Sequence, residues 1–163
     1  MTDAIEAVKA INEKYGKTIY ELDIYGQVDS AQTEWFEQLK TTFPEYIKYG
    51  GLVPFDKSVE VLKDYFALLF PTRFYTEGIP GTIIDAYAAG IPVISAKWES
   101  FSDVIDEGKT GIGYEFCNTD DLIEKLDYIE KHINDFNALK LNCLNKSQQF
   151  VPSEVVKTLI EEF

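Results

Sequence analysis

Apolar residues in this chain fall into short continuous runs and into stripes with helical spacing, and the two patterns alternate. The run Phe66–Phe70 ends at Pro71 and predicts a strand buried on both faces. The run Pro92–Ser95 predicts a second buried strand, because the helical segment before it should end at Gly90. Three more strands are predicted at residues 18–25, 46–49 and 112–116.

Helical stripes occupy the segments between these strands. They cover residues 3–15, 30–43, 58–65, 79–89, 119–133 and 135–149, and a last one opens at Pro152 with Val155, Val156, Leu159 and Ile160 facing inward. The predicted buried faces include Trp35, Phe36, Leu39 and Phe43 in the second helix and Ile79, Ile83, Ile84, Tyr87 and Ala88 in the fourth. The predicted N-caps are Asp3, Ser30 and either Asn118 or Thr119.

Strands that alternate with helices indicate the α/β class, here a Rossmann-like parallel sheet flanked by helices. The chain of 163 residues contains no repeat or linker, so a single domain is expected over residues 1–163. The net charge of −13 argues against nucleic acid and against a basic membrane-binding face, both of which need clustered Lys and Arg.

The cysteine pattern, the lack of long apolar runs and the single histidine limit the location of the chain and the kinds of site that it can form. Cys117 and Cys143 have neither a metal-ligand spacing nor the pattern of a disulfide framework, which favours a reducing, cytoplasmic location. No apolar run reaches the ~20 residues needed to span a bilayer, and a signal-peptide pattern is not seen. The single histidine, His132, lacks the partners of a zinc site or a catalytic dyad and is expected at the surface.

Candidate chemistry follows the predicted strand at Phe66–Phe70. Glu77, Gly78 and Gly81 lie between this strand and the next helix, at the edge where open α/β sheets bind ligands. The free amides of a helix start favour phosphate, and glycines allow the backbone to come close. Glu77 is itself an anion and is better suited to accept hydrogen bonds from hydroxyls. The loop therefore predicts a ligand that carries both phosphate and sugar.

The same residues resemble the donor-binding region in the C-terminal domain of retaining GT-B glycosyltransferases of the family 4 type. The matching positions are Glu77, Gly78, Ile79, Pro80, Asp85, Ala86, Gly90, Pro92 and Val93, followed by Asp103, Val104, Ile105, Gly108, Thr110 and Gly111. Their order and spacing hold without a gap. One position departs from the family pattern, since Asp85 is one methylene shorter than the usual Glu.

The resemblance implies roles for individual residues. Glu77 would be the catalytic-site acid that accepts hydrogen bonds from the donor sugar, and Asp85 would hold the ribose hydroxyls unless its shorter side chain reaches only water. The remaining predicted substrate-binding residues are Gly78, Ile79, Pro80, Gly81, Thr82, Arg73, Gly26 and Gly51. Several have simpler alternatives: turn geometry for the glycines, an N-cap for Thr82 and an ordinary surface position for Arg73.

The resemblance also implies that parts of the family pattern are absent. The first strand of the family's domain, with an Arg and a Lys that contact the diphosphate, would lie upstream of Met1, as would the acceptor-binding lobe. The chain is therefore expected to be a fragment or a truncated protein. The strands near Ile24 and Leu69 should then lack their common neighbour, so that the sheet closes up or another segment or a second chain fills the gap by self-association.

The expected function is the donor-binding half of a hexosyltransferase. The complete enzyme would transfer a sugar with retention from a nucleoside diphosphate sugar to a glycan or lipid-linked acceptor, as in polysaccharide biosynthesis. It would need no metal or cofactor, would be cytoplasmic or membrane-peripheral, and this half alone would be inactive. Two alternatives stay open: a nucleotide-sugar 2-epimerase, which would need a histidine in the cleft, and a degenerate nucleotide-binding or interaction module.

Overall fold

Strands and helices alternate through residues 1–151 and 153, which the computed structural model describes. The strands are β1 (Leu22–Tyr25), β2 (Ile47–Gly51), β3 (Leu68–Phe70), β4 (Val93–Ala96) and β5 (Gly111–Tyr114). The helices are α1 (Thr2–Tyr15), α2 (Thr33–Lys40), α3 (Ser58–Leu62), α4 (Gly81–Ala88), α5 (Phe101–Val104), α6 (Thr119–Lys131), α7 (Ile133–Ala138) and α8 (Lys140–Ser147). The predicted helix that opens at Pro152 lies outside the described residues, apart from Ser153.

The strands pair in parallel, as predicted, but in two separate groups. β1 pairs with β2, and β4 lies between β3 and β5 in a three-stranded group. Each consecutive pair of strands is connected through a helix, which is the arrangement that parallel pairing requires. The predicted class, a Rossmann-like α/β fold with helices flanking a parallel sheet, is confirmed.

A cavity of about 1200 Å³ separates the two groups and is lined by the whole of β1 and of β3. Among the described residues no strand lies between β1 and β3, so the prediction that the strands near Ile24 and Leu69 share no neighbour is confirmed for this part of the chain. Side chains, and not a strand, make contacts across this space: the hydroxyl of Tyr65, which precedes β3, donates to Asp23 Oδ2 of β1 at 2.6 Å. β3 is half-buried rather than fully buried because its residues line this cavity.

The core lies on both faces of the three-stranded group. Ile94 and Ala96 of β4 pack with α1 and α6 on one face, whereas Val93 packs with α4 and α5 on the other. All four residues of β4 are buried, as its continuous apolar run predicts. The face covered by α4 and α5 is the one that positions the loop between β3 and α4.

Two predicted buried faces need correction. Trp35 is 46% exposed, because α2 packs through Phe36, whose ring meets that of Tyr49 at 4.8 Å, and leaves its other sides open. Ile79 is 58% exposed because α4 begins only at Gly81. Ala88 is also exposed, and the buried face of α4 consists of Ile83, Ala86 and Tyr87.

Two of the predicted N-caps are also wrong. Met1 is the N-cap of α1, and Asp3 turns inward within the first turn. Gln32 is the N-cap of α2 and makes no side-chain hydrogen bond there. Asp29, not Ser30, caps the short 3-10 helix Ser30–Gln32 that precedes it, where its side chain accepts the amide of Ala31 at 2.8 Å. Asn118 does cap α6, since its Oδ1 accepts the amide of Asp121 at 3.0 Å.

Candidate functional site

The loop between β3 and α4 is closed by Thr72. Its Oγ1 accepts the amide of Phe74 at 3.0 Å and donates to Oε2 of Glu77 at 3.3 Å. The amide of Glu77 donates to the carbonyl of Phe74 at 3.3 Å. These bonds turn the carboxylate of Glu77 toward the cavity, which both Glu77 and Thr72 line. Sequence reasoning missed Thr72, although a threonine at the start of a loop is a known local turn former.

Gly78 and Gly81 lie in open space within the described structure. Neither has a left-handed φ, and a Cβ built on either would meet no described atom within 4 Å. The backbone therefore does not need glycine at these positions for turn geometry. What the missing side chains provide is access to the main chain from outside.

The start of α4 presents amide donors that have no acceptor within the helix on this open side. Pro80 is its N-cap and supplies no side-chain hydrogen bond, and the first turn holds no acidic side chain. The amides of Gly81 and Thr82 are at helix positions that have no intrahelical acceptor. Such a helix start attracts anions through its amides and its dipole.

The predicted capping role of Thr82 is wrong, because Pro80 occupies the N-cap and Thr82 is the second helical residue. Its side chain is exposed and lines the same cavity as Glu77. Pro80 is buried and fixes the entry to the helix, while Ile79 projects outward. The structure thus places Glu77 and Thr82 on the lining of one cavity, with Gly81 next to Thr82 at the start of α4.

Asp85 lies one turn further along α4 and is held by Ser58, the first residue of α3. The hydroxyl of Ser58 donates to Asp85 Oδ2 at 2.5 Å. Ser58 lines the cavity together with Glu77 and Thr82, and half-buried Asp85 stands behind it. Glu77 thus lines the cavity itself, whereas Asp85 is connected to it through Ser58. Sequence reasoning missed Ser58, because nothing in the chain signals a contact between positions 58 and 85.

Arg73 forms an ion pair with Asp3, in place of the predicted contact with phosphate. Its Nε donates to Asp3 Oδ2 at 2.9 Å and its Nη2 to Oδ1, and Thr119 adds a third hydrogen bond to the same carboxylate. Asp3 is buried, and the hydrogen bond from Arg73 lowers the pKa of its carboxyl group below the ordinary value. A phosphate would have to share Arg73 with Asp3, so the phosphate role stays a prediction.

Gly26 and Gly51 have φ values of 139° and 76°, in the region that favours glycine. They end β1 and β2, and the amide of Gly26 donates to the carbonyl of Gly51 at 2.9 Å. The turn alternative raised for both is therefore confirmed. Gly26 also lines a separate cavity of about 180 Å³ beside Trp35 and Tyr49, and a ligand contact for either glycine stays a prediction.

Three other features bear on the chemistry that is available to this chain. His132 is exposed at the end of α6, as predicted, and its Nδ1 lies 2.8 Å from the carbonyl of Tyr128. No three His, Cys, Asp or Glu side chains among the described residues form a group that could hold a metal ion. None of the helices in that part of the chain has both the length and the hydropathy needed to cross a bilayer.

A family model and a curated relative both connect this chain with glycosyltransferases. Residues 1–132 match the family model described as glycosyl transferases group 1. WcaL of Salmonella typhimurium, by its name a glycosyltransferase of colanic acid biosynthesis, is 30% identical over 86 residues, which cover 47% of this chain and 21% of WcaL.

Solved structures share the fold at low sequence identity. Anabaena HepE, in a crystal with UDP and glucose, gives a TM-score of 0.78 at 12% identity and matches 96% of this chain and 43% of its own. The C-terminal domain of LpcC, a group 1 family protein from Francisella tularensis, gives 0.75 at 15% identity, covering 91% of this chain and 77% of that domain. The fold is that of a GT-B C-terminal domain, and the chain spans less than half the length of WcaL and HepE.

Proposed function

The chain belongs to the glycosyl transferases group 1 family, and we propose that it forms the donor-binding half of a retaining GT-B enzyme. The complete enzyme transfers a hexose-type residue from a nucleoside diphosphate sugar to a glycan or lipid-linked acceptor. The observation that carries this proposal is that Glu77, Thr82 and Ser58 line one cavity beside the open start of α4. The UDP and glucose in the crystal of HepE support the choice of ligand class.

Each part of the site has a role in this proposal. Glu77, oriented by Thr72, accepts hydrogen bonds from hydroxyls of the donor sugar. The amides of Gly81 and Thr82 bind the diphosphate, whose negative charge grows as the sugar leaves. Donors that are already in place for this charge lower the barrier without reorganisation. Asp85 binds the ribose.

The proposal is tested by calorimetric titration of the chain with UDP, GDP and the corresponding glucose conjugates. We expect binding of at least one pair, with the sugar conjugate preferred over the free diphosphate. Glu77→Gln should reduce that preference, because the amide keeps one acceptor oxygen but loses the negative charge, and should leave binding of the diphosphate intact. Glu34→Gln, at an exposed glutamate in the first turn of α2, is the matched control. A chain that binds none of these compounds contradicts the proposal.

A non-catalytic nucleotide-binding module is the second candidate. The engagement of Arg73 by Asp3 favours it, because this arginine would otherwise be available to a diphosphate. Equal affinity for the free diphosphate and its sugar conjugate would support the module over the transferase. The 2-epimerase is less well supported, since His132 is the only histidine of the chain and lies exposed at the end of α6.

The gap between β1 and β3 is proposed as a site of self-association, with a second copy of the chain supplying an extended segment. Unpaired strand edges are templates for pairing with another chain. Light scattering across a concentration series should then show a dimer, which Leu69→Lys in the gap dissociates. A monomer at every concentration would rule the proposal out.

A further inference from the structure

We propose that Ser58 supplies the second acceptor for the ribose hydroxyls, the one that the shorter side chain of Asp85 cannot provide. The inference rests on the proposed function, because it takes a ribonucleoside diphosphate as the ligand. It assigns a binding and specificity role to a residue that the family pattern does not point to.

The geometry of the pair carries the inference. Ser58 donates its only hydroxyl proton to Asp85 Oδ2 at 2.5 Å, so that both lone pairs of Ser58 Oγ are left as acceptors. Within the described part of the chain, the bond from Ser58 is the one hydrogen bond that the carboxylate of Asp85 accepts. Its Oδ1 is therefore the second acceptor of the pair.

The position of the two side chains explains why both are needed. A glutamate in place of Asp85 would extend one methylene further and could offer both of its carboxylate oxygens to a vicinal diol. Asp85 has one oxygen committed to Ser58 and is set back, while Ser58 itself lines the cavity. The serine oxygen and Asp85 Oδ1 together replace the two oxygens of the longer acid.

α3 brings Ser58 to this place. Leu62 of α3 packs against the cluster that contains Ile83 and Tyr87 of α4, which holds the first residue of α3 beside the second turn of α4. The Ser58 hydroxyl also lies 3.2 Å from the carbonyl of Phe55. Ser58 could therefore have only a structural role at the start of α3, and the experiment must distinguish that role from ribose binding.

The test measures discrimination between ribose and deoxyribose. The chain is titrated with UDP, GDP and ADP and with their 2′-deoxy and 3′-deoxy counterparts. The unaltered chain should bind a ribonucleotide about tenfold more tightly than its deoxy counterparts, as one charge-assisted hydrogen bond implies. Ser58→Ala should weaken ribonucleotide binding by about the same factor and leave deoxynucleotide binding nearly unchanged, so that the ratio falls toward one.

Two further variants make the test specific. Ser58→Ala combined with Asp85→Glu should restore the ratio, because the longer acid reaches the diol with both oxygens. Ser102→Ala, at an exposed serine of α5, should change neither affinity nor ratio. If Ser58 has only a structural role, Ser58→Ala should lower the affinity for ribonucleotides and deoxynucleotides alike. A double variant whose discrimination ratio stays low would also indicate a structural role and contradict the inference.

The outcomes separate this inference from the proposed function. If the chain binds ribonucleotides and Ser58→Ala leaves the discrimination ratio unchanged, the inference is overturned while the proposed function stands. The same conclusion follows if the unaltered chain binds both sugar types equally. If no nucleoside diphosphate binds at all, both are overturned.

Discussion

Replacing Gly81 with alanine should stabilise the fold and weaken ligand binding at the same time. Gly81 is the first residue of α4, has no left-handed φ, and would place its Cβ more than 4 Å from any described atom outside its chain neighbours. Alanine at such a position stabilises by about 0.4–1 kcal/mol, mainly by restricting the unfolded chain. For a domain of this size the midpoint of thermal unfolding should rise by about 1–4 °C.

Gly81→Ala should weaken ligand binding, although it stabilises the fold. The space beside Gly81 is where the proposed diphosphate approaches the amides of α4, and a methyl group there keeps its oxygens at a distance. Loss of one charged hydrogen bond costs about 1.5–3 kcal/mol, which corresponds to a decrease in affinity of roughly ten- to 150-fold. Calorimetric titration with the nucleoside diphosphate that the chain prefers measures this change.

Gly16→Ala is the matched control for stability. Gly16 follows α1 at φ 63°, and its Cβ would also meet no described atom within 4 Å. Only the left-handed backbone penalises alanine there, by about 1–2 kcal/mol, so unfolding should occur about 2–8 °C lower with binding unchanged. If Gly81→Ala binds the diphosphate as well as the parent chain does, close approach to this backbone is refuted.

Three further predictions concern neighbouring features. The pKa of Asp3 is lowered in the fold because Arg73 hydrogen-bonds to its carboxyl group. Ionised Asp3 therefore contributes fully to stability above about pH 4, and this contribution is lost as the pH falls through the lower folded pKa. Asp3→Asn should flatten the acid-unfolding curve over that pH range. Gly111→Ala would place a Cβ 2.2 Å from a main-chain oxygen of β4 and should destabilise by about 1–3 kcal/mol in urea unfolding, whereas an unchanged midpoint would contradict the register. Thr72→Val removes the hydroxyl that orients Glu77 and should weaken binding of UDP-glucose severalfold with UDP unaffected; equal losses for both ligands would argue against that role.

The apolar pattern was sufficient to predict the strands, most of the helices and the parallel arrangement, but the stripe predicted as one helix over residues 135–149 forms two helices, α7 and α8. Continuous runs such as 93–96 occur where a strand is covered on both faces, and the glycine and proline after α4 mark its end. The pattern was less informative where packing is one-sided. Nothing in the spacing of Trp35 and Phe36 indicates that α2 buries only one of them, because the exposed side depends on what the rest of the chain places beside it.

The candidate loop was predictable because its residues are adjacent in sequence and sit after a recognisable strand. The contacts that position its side chains were not predictable. Ser58 meets Asp85 and Arg73 meets Asp3 across long stretches of chain. Such contacts depend on how α3 and α1 pack against the sheet, and local periodicity carries no record of that packing.

An NMR titration of the isotopically labelled chain with UDP-glucose and GDP-glucose tests the central claim most directly. A nucleoside diphosphate sugar that binds at the start of α4 should produce saturable shifts in the amides of Gly78, Gly81 and Thr82 and around Asp85. Saturable shifts confined to other parts of the chain, such as the small cavity beside Trp35, would contradict the account.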